Sequence, residues 1–163
     1  KPLMELLDTI EIHKKDSQVF RLPVQYVVRP HLNFRGFSGT IASGSISIGE
    51  EITVLPSGKT SKVKSIVSND IKDLRPIGKD ETVETTEKAY APMATTITLE
   101  DEIDISRGDM IVKSEDIPQV SNHLSAMVVW MDEAPLELNQ NYIIKRATSV
   151  LNGAFNNIEF KIE

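Results

Sequence analysis

The sequence predicts an all-β protein: a closed antiparallel β-barrel, a partial second β unit after it and a short helix before it. Three observations carry that prediction. Short apolar runs alternate with polar residues in segment after segment, the period of a half-buried strand. Gly36, Gly39, Gly44 and Gly49 punctuate the stretch from Phe34 to Leu55, which is otherwise rich in Thr and Ile. A helical period occurs only at the start, where Leu3, Leu6, Leu7 and Ile10 fall on one face.

That first helix is under about three turns long and is unstable alone, so it must lean on a neighbour or be the remnant of a preceding domain. Val19 to Val28 reads as a strand with Phe20, Leu22, Val24, Tyr26 and Val28 on one face. Pro23 has no amide donor, which puts this strand at an edge or a bulge. The glycines then divide Thr40-Ile41, Ile46–Ile48 and Ile52–Leu55 into the runs of a tightly curved antiparallel meander, with corners where glycine fits best. Pro56-Ser57-Gly58-Lys59 predicts a hairpin turn between Ile52–Leu55 and Val63–Val67.

Asn69 to Lys88 is charged, carries Pro76 and Gly78, and reads as an exposed loop with a short hairpin over Thr82 to Thr86. Met93, Thr95, Ile97 and Leu99 alternate as a strand, and Met110-Ile111-Val112 reads as a closing strand. Glu115 to Asn122 is the linker candidate. Beyond it, Ala126 to Met131 is apolar on both faces and predicts a buried strand; Tyr142 to Lys145 predicts another. Ile158, Phe160 and Ile162 alternate with charges. Three strands do not close a barrel, so the second unit reads as cut short. A start at Lys1 without Met likewise reads as a piece of a longer protein.

Composition narrows the function. Hydrophobic residues make up 40 % and charged ones 26 %, as in ordinary globular domains. A net charge of −6 disfavours a broad phosphate-binding surface, and hence a nucleic-acid partner. There are no cysteines, hence no disulfides or thiolate metal sites. No apolar run approaches the roughly 18 residues of a membrane span, and no signal-peptide pattern or Asn-x-Ser/Thr acceptor occurs, which fits a cytoplasmic protein.

No constellation reads as catalytic, cofactor-binding or metal-binding. Asp101, Glu102, Asp104 and Asp109 suit hard cations, but their spacing is not that of a calcium loop, and Ile103 and Ile105 alternate with them as on a strand edge. Arg107-Gly108-Asp109 reads as a turn with glycine at positive φ rather than an adhesion tripeptide. His13, His31 and His123 lie far apart and read as loop histidines. No serine sits in a Gly-x-Ser-x-Gly elbow. Ser57-Gly58-Lys59-Thr60 matches only the tail of a P-loop: it lacks the upstream glycine and opens no helix. Lys59, Lys62 and Lys64 lack interleaved aromatics and read as a solvated strand face. Trp130, with Met127 and Met131, reads as core rather than as an exposed anchor.

The meander Gly36-x2-Gly39-Thr40-Ile41-x2-Gly44-x-Ile46-x2-Gly49-Glu50, with Ile105-Ser106-Arg107-Gly108-Asp109 later, resembles the second domain of translation-factor-type GTPases, the superfamily of elongation factor Tu. Longer motifs resemble one branch, the GTP-binding large subunits of bacterial sulfate adenylyltransferase. They are Phe20 to Val27, Phe34-Arg35-Gly36-Phe37, Val54 to Gly58, Asp101 to Asp109 and Val129-Trp130-Met131. The resemblance implies that residues 1–12 end a GTPase domain, that residues 13–116 form the domain 2 barrel, and that residues 117–163 begin a third domain. Ile71 to Thr85 looks longer than the family pattern.

The resemblance also implies GTP and Mg²⁺ on the GTPase domain, and a separate small subunit that joins ATP and sulfate into adenosine 5′-phosphosulfate. Some relatives carry a fused adenylylsulfate kinase. No family catalytic residue transfers onto these positions. The alternatives are an elongation-factor-like barrel docking RNA or protein, and a stand-alone interaction module.

Overall fold

The computed structural model describes residues 19–30, 34–68 and 85–160. The expected N-terminal helix and most of the 71–85 loop fall outside these residues. Every regular element described is a strand: β1 (Arg21–Pro23), β2 (Tyr26–Val28), β3 (Gly36–Thr40), β4 (Ser45–Ser47), β5 (Glu51–Leu55), β6 (Lys59–Ser68), β7 (Lys88–Tyr90), β8 (Ala94–Leu99), β9 (Met110–Lys113), β10 (Asn141–Arg146) and β11 (Ser149–Ala154).

A seven-stranded antiparallel sheet runs in the order β1-β9-β5-β6-β8-β3-β2; β4 pairs with β7, and β10 with β11. Two pieces of chain serve both halves of the large sheet. The ten-residue β6 pairs with β5 through Lys59–Lys62 and with β8 from Val63 onward. The segment Arg21–Val28 lies on β9 as β1 and on β3 as β2. The two halves enclose one core, in which Phe20, Leu22, Ile46, Ile52, Val54, Val63, Ile66, Ile97 and Ile111 are completely buried.

The expected closed barrel does not form. The sheet ends at β1 and β2 with no ladder between them, and the residues near this seam meet through a single bridge, Arg21 with Ser43. The chain bends at Val24–Gln25 instead of continuing as one strand, so Tyr26 turns outward and is 66 % exposed while Phe20, Leu22 and Val24 stay inside.

The expected meander is also corrected. β3, β4 and β5 are successive along the chain, yet none pairs with another: β3 lies between β2 and β8, β4 takes β7, and β5 lies between β9 and β6. The glycines serve a different end. A Cβ at Gly39 would sit 2.3 Å from the carbonyl oxygen of Pro23, and one at Gly44 would sit 2.7 Å from the backbone of Phe20. The first strand therefore crosses directly over the Gly39–Gly44 stretch, backbone against backbone. That approach requires glycine for lack of space.

Beyond Asp116 the only regular element among the described residues is the β10–β11 hairpin. Ala126–Met131, expected as a buried strand, forms no ladder, and Met127, Val129 and Met131 are more than 70 % exposed. The alternation at Ile158 and Phe160 likewise forms no strand there. A lone two-stranded hairpin has too little surface to bury such runs.

Candidate interaction surface

Three of the acids singled out in the sequence, Asp101, Asp104 and Asp109, hold loops. Ser61 Oγ donates to Asp101 Oδ2 at 2.8 Å, and the Asp101 amide returns a bond to Ser61 Oγ at 3.2 Å. Arg35 Nη2 meets Asp104 Oδ1 at 3.3 Å, and its guanidinium lies 5.6 Å from the centroid of the Phe37 ring. The Ser106 amide donates to Asp109 Oδ2 at 2.8 Å, closing the turn in which Gly108 takes φ 101°. The acidic run is thus divided among three separate partners. It is no strand edge either: residues 102–106 belong to no ladder, and Ile105 is buried in the core.

Ser57-Gly58-Lys59-Thr60 is the turn and first residues of the β5–β6 hairpin. Gly58 takes φ 73° and its amide donates to Val54 O at 2.7 Å; the chain then continues as a strand. These residues do not fit a nucleotide phosphate, because a cradle needs free amides at a helix start. Lys59, Lys62 and Lys64 are exposed along β6, with Lys62 opposite Glu51. His123 is exposed, and its amide donates to Ser121 Oγ at 3.0 Å; His13 and His31 lie outside the described residues.

A feature that sequence reasoning missed is a shallow cleft of about 250 Å³ at the end of β8, lined by Phe34, Arg35, Lys64, Ser65, Thr98 and Glu102 among others. The pairing of β6 with β8 shifts register between Val63 and Ser65. The extra residue turns Lys64 and Ser65 together away from the core, since Val63 and Ile66 on either side are fully buried. Ser65 and Thr98 hydroxyls bond at 2.6 Å, and Ser38 and Thr96 at 2.7 Å, so a band of hydroxyl pairs crosses β6, β8 and β3. A bulge is a departure from pairing and leaves no mark in apolar alternation. The cleft presents mixed charge and hydroxyls, which suits contact with a polar surface.

An apolar surface lies past the linker. Trp130 and Tyr142 meet edge to face at 5.6 Å between centroids, and Tyr142 and Phe155 at 5.5 Å. The Trp130 indole N–H donates to Ala134 O at 2.7 Å. Tyr142 and Phe155 are half-buried in this cluster. Trp130 is 39 % exposed, so it is not the core residue expected, because no second layer among the described residues covers this side of β10–β11; Ile143 and Val150 are exposed as well.

The described residues thus form a β scaffold in which acids and glycines lock its own loops. In fold the chain resembles translation elongation factor SelB from Methanococcus maripaludis in complex with a GTP analogue, with a TM-score of 0.69 and 19 % identity over 91 % of this chain and 31 % of that one. Its described residues are therefore all-β, with the fold of the β domains of translation-factor GTPases.

Over its whole length the chain is homologous to part of sulfate adenylyltransferase subunit 1. It is 56 % identical to that protein from Sulfurovum sp. strain NBC37-1, matching 100 % of this chain and 33 % of the relative. The bifunctional enzyme CysN/CysC of Rhodopirellula baltica is 48 % identical across 99 % of this chain and 23 % of its own length. The chain thus spans about a third or less of the relatives it matches. A scan against protein-family models finds no match.

Proposed function

We propose that this chain is the coupling portion of the GTPase subunit of a sulfate adenylyltransferase. The 56 % identity to a third of subunit 1, across the whole of this chain, carries the reading. In it, residues 1–12 end a GTPase domain, residues 13–116 form domain 2, and residues 117–163 begin domain 3. GTP and Mg²⁺ belong to the GTPase domain. A small catalytic subunit forms adenosine 5′-phosphosulfate and pyrophosphate from ATP and sulfate, an unfavourable step drawn forward by GTP hydrolysis in the cytoplasm.

The work left to these residues is mechanical. A scaffold couples two sites only by making different contacts in their two states. The cleft beside Lys64 and the exposed face of β10–β11 are the surfaces available for such contacts. Both differ from a nucleic-acid interface, which needs concentrated positive charge.

The test is coexpression of the full-length protein with a small sulfate adenylyltransferase subunit from the same organism. The pair should copurify and form adenosine 5′-phosphosulfate in a GTP-dependent manner, while the 163-residue chain alone gives no stoichiometric GTP complex by calorimetry. A full-length protein without a P-loop domain, or one that ignores the small subunit, overturns the reading. Salt-dependent tRNA binding would return it to the elongation factors.

A further inference from the structure

The turn of the β10–β11 hairpin rests on the turn at Arg107–Gly108. A Cβ placed on Gly108 would lie 3.3 Å from Ser149 Cβ and 3.9 Å from the Thr148 carbonyl oxygen. Thr148 and Ser149 are half-buried in a hairpin whose other residues are mostly exposed. The turn beneath them is stiff, since Asp109 closes it through both its carboxylate and its amide, the latter donating to Ser106 O at 3.1 Å.

That same turn holds the bend between the two ends of the large sheet. Gly108 N donates to Val24 O at 3.0 Å, and Val24 N donates to Asp109 O at 2.9 Å. The next amide, Gln25 N, donates to Ser38 O at 2.8 Å. Val24 is therefore the last residue held from the β9 side and Gln25 the first held by β3. A second tether lies nearby: Arg21 Nη1 donates to Asp116 O at 3.1 Å and lies 3.5 Å from Asp116 Oδ2.

We propose that the 106–109 turn is a relay: the seat of the C-terminal hairpin on Gly108 and the pairing of the sheet ends at Val24–Gln25 are coupled through it. A hairpin drawn off its seat loosens the seam between β1 and β2; a hairpin held down tightens it. The seat is poised for release, because Thr148 Oγ1 is buried there without a hydrogen-bond partner among the described residues. Such an unsatisfied group lowers the cost of parting, as an element with two positions requires. This inference stands on the contacts alone and does not depend on which reaction the full protein serves.

The test is residue-resolved amide hydrogen exchange on the full-length protein. Ser149→Leu wedges the seat, and the amides of Val24, Gln25 and Gly108 should exchange at least about tenfold faster, with the β5–β6 amides unchanged. Thr148→Val keeps the shape and removes the unpaired hydroxyl, so the same three amides should slow. The proposal is overturned if the three amides ignore both substitutions, or if β5–β6 exchange moves by the same factor, which would signal general destabilisation. Should Ser149→Leu fail to fold, Thr148→Val decides alone: no slowing at Val24, Gln25 and Gly108 overturns the relay.

Discussion

Ile52–Leu55 and Ala126–Met131 are both short apolar runs, and they meet opposite fates. In the first, Ile52 and Val54 lose all contact with solvent between β9 and β6. In the second, Val129 is 81 % exposed and Met131 90 %. Among the described residues, the large apolar side chains left exposed are Tyr26, Ile48 and Tyr90, and then a long series from Ile117 onward. Apolar patterning marks a candidate for burial; a second layer of chain is what buries it.

That contrast can be broken by substitution. The largest effect is expected where backbone crosses backbone: Gly39→Ala drives a methyl into Pro23 O and should cost about 3 kcal/mol or more, read from the urea midpoint. Ile97→Ala opens a cavity in the middle of the sheet and should cost about 2–5 kcal/mol. Its control is Ile143→Ala, whose side chain is exposed, and which should stay within about 0.5 kcal/mol. Equal losses at Ile97 and Ile143 would show that the hairpin region is as well packed as the sheet.

Smaller changes sharpen the boundary between the regions. Arg21→Met removes bonds to Phe20 O and Asp116 and should cost about 1–2 kcal/mol, with faster proteolysis at Ile117–Asn122 as the specific sign. A linker cleaved at an unchanged rate would mean that Asp116 is no anchor. Lys113→Ala breaks a 2.9 Å pair with Glu50 that is still partly solvated, so about 0.5–1 kcal/mol should be lost, shrinking in high salt.

Much of the fold was legible because strands and turns are local. Alternation located β5, β6, β8 and β10 within a few residues, and the hairpin at Gly58 and the turn at Gly108 took the positive φ their glycines anticipate. β7 went unseen, since Lys88-Ala89-Tyr90 offers one apolar pattern too short to read; its pairing with β4 supplies the order. Tyr26 was misplaced because alternation was carried across the bend at Val24–Gln25. The cleft was illegible, as it depends on a register shift beside Lys64.

The sequence by itself determined that the described residues form β structure and that tight turns fall at Gly58 and Gly108. Those properties reside in neighbouring residues, whose dihedral preferences and periodicity act over a few positions. Only the tertiary structure decided that β3, β4 and β5 part to different neighbours, that the sheet stops short of closure, and that Ala126–Met131 stays outside. Backbone amides and carbonyls are the same at every residue, so strand partners are chosen by side-chain packing between distant segments, and that choice is not written in any one of them.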